Sequence, residues 1–454
     1  MRKYPNSRSE YAGNYLVIKK HDGNIAILGY RGPGGKLVIP AAIRGLPVVE
    51  IRKSAFQKSH LTELTIPYGV TIIGAWAFSH NELARVIIPP SVNYIGKMAF
   101  GDNQLREVTI PAGVGKIESN PFSSNPLLES ISVVPENPAY TSVDGVLFSK
   151  DRRTLIAFPP GKGSGYEIPP WVITIGKSAF AWSSISRLDI PPSVTSIEET
   201  AFAGNYLSQL CIPSGVASLG AWAFYNSHIT SLTLCRGLIN IDNWAFSRNE
   251  LSRIEIPESV VSIIGNPFNY NPGLEAFSVA PENPSYTSVD GVLFSKNHRV
   301  IVAYPTVRGG HYTVPPGVKL IEQGAFYSCN LSSVLFPQSL RSILKMAFAW
   351  NQLSELTIPP NVSRIGIKAF EHNPLTQVIM PANVNISASF GDGLADFYCD
   401  GKRAGVYINT GKRVPLRTVR DRHTGEEVDP RTDPSKYPTT EAIWTYEENQ
   451  ESAG

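Results

Sequence analysis

The side chains able to do covalent, acid–base or metal chemistry are few in this chain, and their spacing keeps them apart. Four cysteines occur, Cys211, Cys235, Cys329 and Cys399. They form no Cys-x-x-Cys pair and are too sparse for a disulfide scaffold, so they leave the redox compartment open. His60, His80, His228 and His372 share one kind of turn, but in different registers and mostly several repeats apart. They cannot converge on one metal and read as solvated turn histidines. The stretch Arg31-Gly32-Pro33-Gly34-Gly35-Lys36-Leu37 invites a phosphate-loop reading, but its leading glycine is misplaced and Leu37 stands where Ser or Thr would hold magnesium. A turn is expected there instead. No His-Glu-x-x-His or Gly-x-Ser-x-Gly occurs, and no nucleophile–base or two-carboxylate arrangement recurs in one turn. The expectation is therefore no catalysis, no metal and no cofactor.

Charge narrows the partner. Lys plus Arg is 41 and Asp plus Glu is 38, a formal net charge of +3 over 454 residues. That is too little to suggest nucleic acid or an anionic membrane. No stretch approaches the ~18 apolar residues of a membrane span, and residues 1 to 30 lack a continuous apolar core after Arg2 and Lys3, so no signal peptide is expected from them. The 36 prolines and 37 glycines imply many regularly placed turns.

The elements that must position these residues are repeats. Phe56, Phe78, Phe100 and Phe122 follow each other at 22-residue steps, as do Phe180, Phe202, Phe224, Phe246 and Phe268, and then Phe326, Phe348 and Phe370. Between groups the step is 58, one repeat plus a 36-residue insertion, and the insertions share PENPAYTSVDGVLFSK from Pro135 and PENPSYTSVDGVLFSK from Pro281. Each unit reads like Leu61, Leu64, Ile66, Pro67, Val70, Ile73, Phe78. Leu64-Thr65-Ile66 alternates with period two and predicts a short strand with Leu64 and Ile66 inward. Pro67 ends it, because proline has no N–H for a ladder, and its recurrence marks a corner at every turn. One unit cannot bury its own apolar face, so the units must stack, at ~4.8 Å per turn, into a coil about 75 Å long. Three residues after the phenylalanine runs a second column: Asn81, Asn103, Asn125, Asn205, Asn249, Asn271, Asn351 and Asn373, with Ser59, Ser183, Ser227 and Cys329 in other turns. Its short side chains can bond the backbone of the adjacent turn.

With its L-x-x-L-x-I-P-x-x-V-x-x-I-x-x-x-A-F unit and SVDGVLFSK insertion, the chain resembles the BspA-type, or Treponema-class, bacterial leucine-rich-repeat family over about residues 12 to 390. The resemblance implies a curved, right-handed β-rich solenoid with a concave parallel sheet, and an exported or cell-surface protein linked to adhesion. Four regions are expected: an N-terminal capping hairpin and first turn (1–50), the solenoid (51–390, with insertions about 131–168 and 277–314), C-terminal capping strands (391–417) and a mobile polar tail (418–454). The insertions read as hairpins projecting from or widening the coil.

The outward strand positions are the expected working face, since the inward ones are consumed by the core. One column runs Glu63, Arg85, Glu107, Arg187, Gln209, Ser231, Arg253, Ser333, Glu355, Gln377; the next includes Asp189, Cys211 and Glu255. Arg85 and the mixed-charge set Arg187, Asp189, Arg253 and Glu255 suit a polar protein surface, such as a host or envelope protein; solvated charges that keep the sheet soluble explain them equally well. Trp182 and Trp350, in turns leading to this face, are candidate anchors, or side chains partly buried in their turns. A carbohydrate- or envelope-binding alternative would add Tyr140, Phe148, Tyr286 and Phe294 as sugar-stacking rings. Cys211 and Cys235 lie in adjacent turns two registers apart, which predicts roughly 8 Å between their Cα atoms, beyond disulfide reach, and so free thiols.

Overall fold

The computed structural model describes residues 9–382 and 384–386, and the strands Gly405–Pro415, Val419–Arg420, Glu427–Val428 and Thr440–Glu447. The protein is a β-solenoid of about 16 turns, spaced roughly 22 residues apart. Its contacts divide it into two units, Met1–Asn249 and Glu250–Gly454.

In the first unit the phenylalanines stack in rows: ring centroids lie 5.1, 5.5 and 6.0 Å apart from Phe56 to Phe122, then 5.0, 4.8, 5.1 and 5.4 Å apart from Phe158 to Phe246. The second unit repeats this with Tyr304, Phe326, Phe348 and Phe370, at 4.9, 4.7 and 5.3 Å. Phe158 and Tyr304 come from the insertions, so each insertion supplies a full coil with an aromatic of its own. Burying a side chain of this size contributes about 1.5–3 kcal/mol.

The turn around most of the repeat phenylalanines holds residues two before and two after it at positive φ, although few are glycine; around Phe122 and Phe268 only the residue two after, Ser124 and Tyr270, is so held. Trp76 and His80 flank Phe78 at φ 55° and 56°. In this conformation Trp76, Phe78 and His80 all donate their N–H groups to carbonyls of the following coil, those of Lys97, Ala99 and Gly101, at 2.9, 2.8 and 3.0 Å. A left-handed non-glycine residue costs roughly 1–2 kcal/mol, and the forward hydrogen bonds with the buried phenylalanine offset it. The asparagine column works as expected. Asn103 Nδ2 donates to the carbonyls of Phe78 and Phe100 at 3.0 Å each, and its Oδ1 accepts from Leu83 N at 3.1 Å. Asn351 and Asn249 do the same in their own turns.

Most turns carry two short strands where the repeat predicts one. The predicted strand forms two-stranded parallel ladders, such as Gln209–Ile212 with Ser231–Leu234 and Arg253–Ile256 with Ala276–Val279. Longer ladders run through the two-residue strands at the Val-x-x-Ile corner. In the first unit, Thr174–Ile175, Ser196–Ile197, Ser218–Leu219 and Asn240–Ile241 pair in parallel.

The insertion hairpins widen the coil. Val146–Ser149 pairs antiparallel with both Tyr140–Val143 and Thr154–Ala157, and the last of these joins Thr174–Ile175 in parallel, so the hairpin extends the corner ladder. Val292–Ser295 and its neighbours repeat this in the second unit. The preceding ladder ends where the Tyr140 hydroxyl accepts Ile117 N–H at 2.7 Å; Tyr286 does the same for Ile263.

At the N-terminus Tyr15–Lys19 and Ile25–Tyr30 form an antiparallel hairpin, whose second strand pairs in parallel with Leu46–Ile51. Near the C-terminus Gly405–Pro415 pairs antiparallel with Gln377–Met380 and with Thr440–Glu447. The stretch read as tail thus contains a strand, whose Ile443, Trp444, Thr445 and Tyr446 are of the β-branched and aromatic types that favour extended backbone. Residues 391–404 of the expected cap lie outside the described residues, as does Cys399.

Candidate binding face

Alternation along the predicted strands sets the candidate face. In Gln209–Ile212 and Arg253–Ile256 the pattern is exposed, buried, exposed, buried, so Gln209, Cys211, Arg253 and Glu255 face solvent while Leu210, Ile212, Ile254 and Ile256 fill the core. Arg187 and Asp189 are exposed on Arg187–Asp189, paired with Gly165–Glu167 so that Asp189 lies opposite Glu167. Arg85 is exposed too, on a segment outside any strand. In the second unit Arg253 forms an ion pair with Glu275 of the next coil, at 3.2 Å. Glu275 follows Arg253 by one 22-residue period and precedes Ala276, the strand partner of Arg253.

Trp182 and Trp350 are 47% and 46% exposed. Trp182 lines a surface cavity of about 490 Å³ with Ser124, Pro126, Pro160, Gly161, Gly163 and Ser184. Trp350 packs against His372, with ring centroids 3.9 Å apart. The other turn histidines also find local neighbours: His60 lies 3.6 Å from Glu82, His80 3.4 Å from Asp102, and His228 stacks on Tyr206. Among the described residues no group of three or more His, Cys, Asp or Glu side chains converges, and no helix is long and apolar enough to cross a membrane. The glycine-rich stretch leads through an irregular segment into the strand Gly35–Val38, which pairs with Leu61–Thr65.

One expectation is corrected, and a second, the free thiols of Cys211 and Cys235, holds with their sulfurs in contact. Tyr140, Phe148, Tyr286 and Phe294 are 8%, 0%, 9% and 3% exposed, so they cannot stack on a sugar. The hairpins that carry them are part of the ladder, and their rings close the core beneath it. Cys211 and Cys235 also meet despite their register offset: their sulfurs are 3.7 Å apart, both as free thiols. Cys211 lies opposite Thr233, and Cys235 follows at the corner, where its N–H donates to Ile212 O at 3.2 Å. Diagonal neighbours on one face can touch through side chains even where their Cα atoms are well separated. Cys329 occupies the asparagine column, fully buried as expected, with its sulfur toward the carbonyls of Tyr304 and Tyr327.

The model of the BspA type leucine rich repeat region matches residues 49–160, 172–300 and 310–390, in six copies. The chain belongs to this family. Among solved structures, this BspA-type chain is similar to a leucine-rich cell surface protein of Faecalibacterium prausnitzii A2-165, with 22% identity, 85% of this chain and 91% of that one covered, and a TM-score of 0.42. It is also similar to the pneumococcal vaccine antigen PcpA, with 18% identity, coverage of 84% and 83%, and a TM-score of 0.39. A leucine-rich repeat protein of Eubacterium ventriosum gives 18% identity, coverage of 82% and 96%, and a TM-score of 0.39. No curated protein matches the chain.

Proposed function

We propose that this BspA-type protein is a non-enzymatic scaffold that binds a protein partner through its outward strand face. The observation supporting this reading is the alternation itself: strand after strand buries its aliphatic positions and presents polar or charged ones, Arg187 and Asp189 in the first unit and Arg253 and Glu255 in the second. Mixed charge on an ordered surface suits a partner recognised by complementary potential. We extend this reading to an adhesin-like role at a cell surface, toward a host or envelope protein. The test is a surface-binding screen of the full chain beside Arg85→Glu, Arg187→Glu and Arg253→Glu. A ligand bound through this face loses affinity on at least one reversal; ligands that all bind the three variants unchanged remove the face from the account.

A second reading, carbohydrate binding, draws on Trp182 beside its cavity. A glycan array distinguishes the two: sugar-dependent capture lost in Trp182→Ala favours the second.

A further inference from the structure

Cys235 stands where the repeat otherwise places proline, 22 residues after Pro213 and 22 before Pro257. A proline there has no N–H and no reactive side chain. Cys235 has both, and its N–H ties it to Ile212, next in sequence to Cys211. The outward position of the preceding strand is itself a cysteine, exposed at the surface, and the sulfurs lie 3.7 Å apart. A departure from the repeat at Cys235 thus coincides with a cysteine at the variable outward position of the coil before it. The registers give roughly 8 Å between the Cα atoms, so reaching the ~2.05 Å of a sulfur–sulfur bond requires the corner that carries Cys235 to move toward Cys211. Cys329 offers no such chemistry, because burial pushes its thiol well above the usual range and its sulfur faces backbone carbonyls.

We propose that Cys211 and Cys235 are an oxidative modification site, closing reversibly into a disulfide that staples two consecutive coils of the solenoid. The co-reactant is a low-molecular-weight disulfide such as oxidised glutathione. The Cys211 thiolate, the more exposed of the two, attacks one sulfur of that disulfide; a mixed disulfide forms and one small thiolate leaves. The Cys235 thiolate then attacks the Cys211 sulfur, forming the protein bond and expelling the second small thiolate. Two protein thiols are oxidised, one external disulfide is reduced to two thiols, and the two protons released end on them. Partial burial, and then the neighbouring sulfur, raise the Cys211 thiol above its ordinary value, so the first step speeds up with rising pH as the thiolate fraction grows.

The experiment uses the full chain, reduced, freed of reductant and equilibrated under argon in glutathione buffers of increasing oxidised fraction. Free thiols are then alkylated, and the products mapped as peptides by mass. The expected product is monomeric protein in which a Cys211 peptide and a Cys235 peptide are joined, with loss of two hydrogens, and from which dithiothreitol releases both. Cys235→Ser should stop at a glutathione adduct on Cys211, since the resolving thiol is gone. Absence of the joined peptides at every buffer composition overturns the proposal. So does wild-type protein that stops at separate glutathione adducts on both cysteines, or that links only between molecules.

Discussion

The ring of Trp182 occupies the space where any side chain at position 204 would begin: a Cβ built on Gly204 would lie 2.2 Å from Trp182 Cε3. Gly204 also holds φ at +71°, and its N–H donates to Tyr225 O at 2.8 Å, so the indole is held from the next coil by backbone alone. Gly204→Ala should therefore destabilise the protein by about 1–3 kcal/mol, combining strain with overpacking. In a Trp182→Ala background the overpacking disappears and only the strain is left. Denaturant midpoints of the four proteins check this: equal costs in both backgrounds would mean that the ring contact is not what excludes a side chain.

The asparagine column predicts a graded series. Asn103→Ala removes one of two asparagine donors from the carbonyls of Phe78 and Phe100, which keep Asn81 and Asn125, and takes the acceptor from the N–H of Leu83. The buried N–H so orphaned costs about 1–3 kcal/mol. Asn103→Ser should cost less, because Ser227 already serves in this column and donates to Phe202 O at 2.9 Å. Chemical denaturation of both variants should rank them in that order.

The ion pair of Arg253 with Glu275 is exposed on both sides, 79% and 55%. Pairs of this kind contribute about 0–1 kcal/mol. Arg253→Glu should therefore leave the melting curve nearly unchanged, so that any loss of ligand binding reports on the surface and not on unfolding. A large drop in thermal midpoint would show the pair to be structural.

Alkaline pH should weaken the fold. Tyr94, Tyr166 and Tyr312 are pushed up to about 12, chiefly by burial, with Glu118 adding to the effect on Tyr94 through a 2.9 Å hydrogen bond. Unfolded tyrosines ionise near ~10. Between about 10 and 12 the native state therefore holds protons that the unfolded state has released. The stability these groups contribute is complete below the lower value and is lost as pH rises through the upper one. Tyrosinate absorbance during a pH titration should show a late-ionising fraction, and Glu118→Gln should move Tyr94 earlier. A single transition at the ordinary value for every tyrosine would refute this.

Much of the architecture was legible because one period governs it. Residues 22 apart stack on each other, so the rows Phe56 to Phe122 and Phe180 to Phe246, the asparagine column and the outward columns are read by counting. The failures share a different cause. Positive φ at Trp76 and Thr200 carries no signature in residue type, since it is imposed by hydrogen bonds to the following coil. The burial of Tyr140 and Tyr286 depends on how the insertion folds back, and insertions break the period. The Trp182 cavity joins Ser124, from the turn before the first insertion, to Pro160 and Gly161 within it, which no spacing rule does.

Sequence alone determined that this is a BspA-type solenoid, which positions of the 22-residue repeat form its interior, and which columns it turns outward, because an apolar face repeated every 22 residues can be buried only by stacking. Tertiary structure decided what meets across the columns: Trp182 over Gly204, Trp350 against His372, Cys211 beside Cys235. Those contacts depend on the angle of each corner and the reach of each side chain, and a linear period carries no information about either.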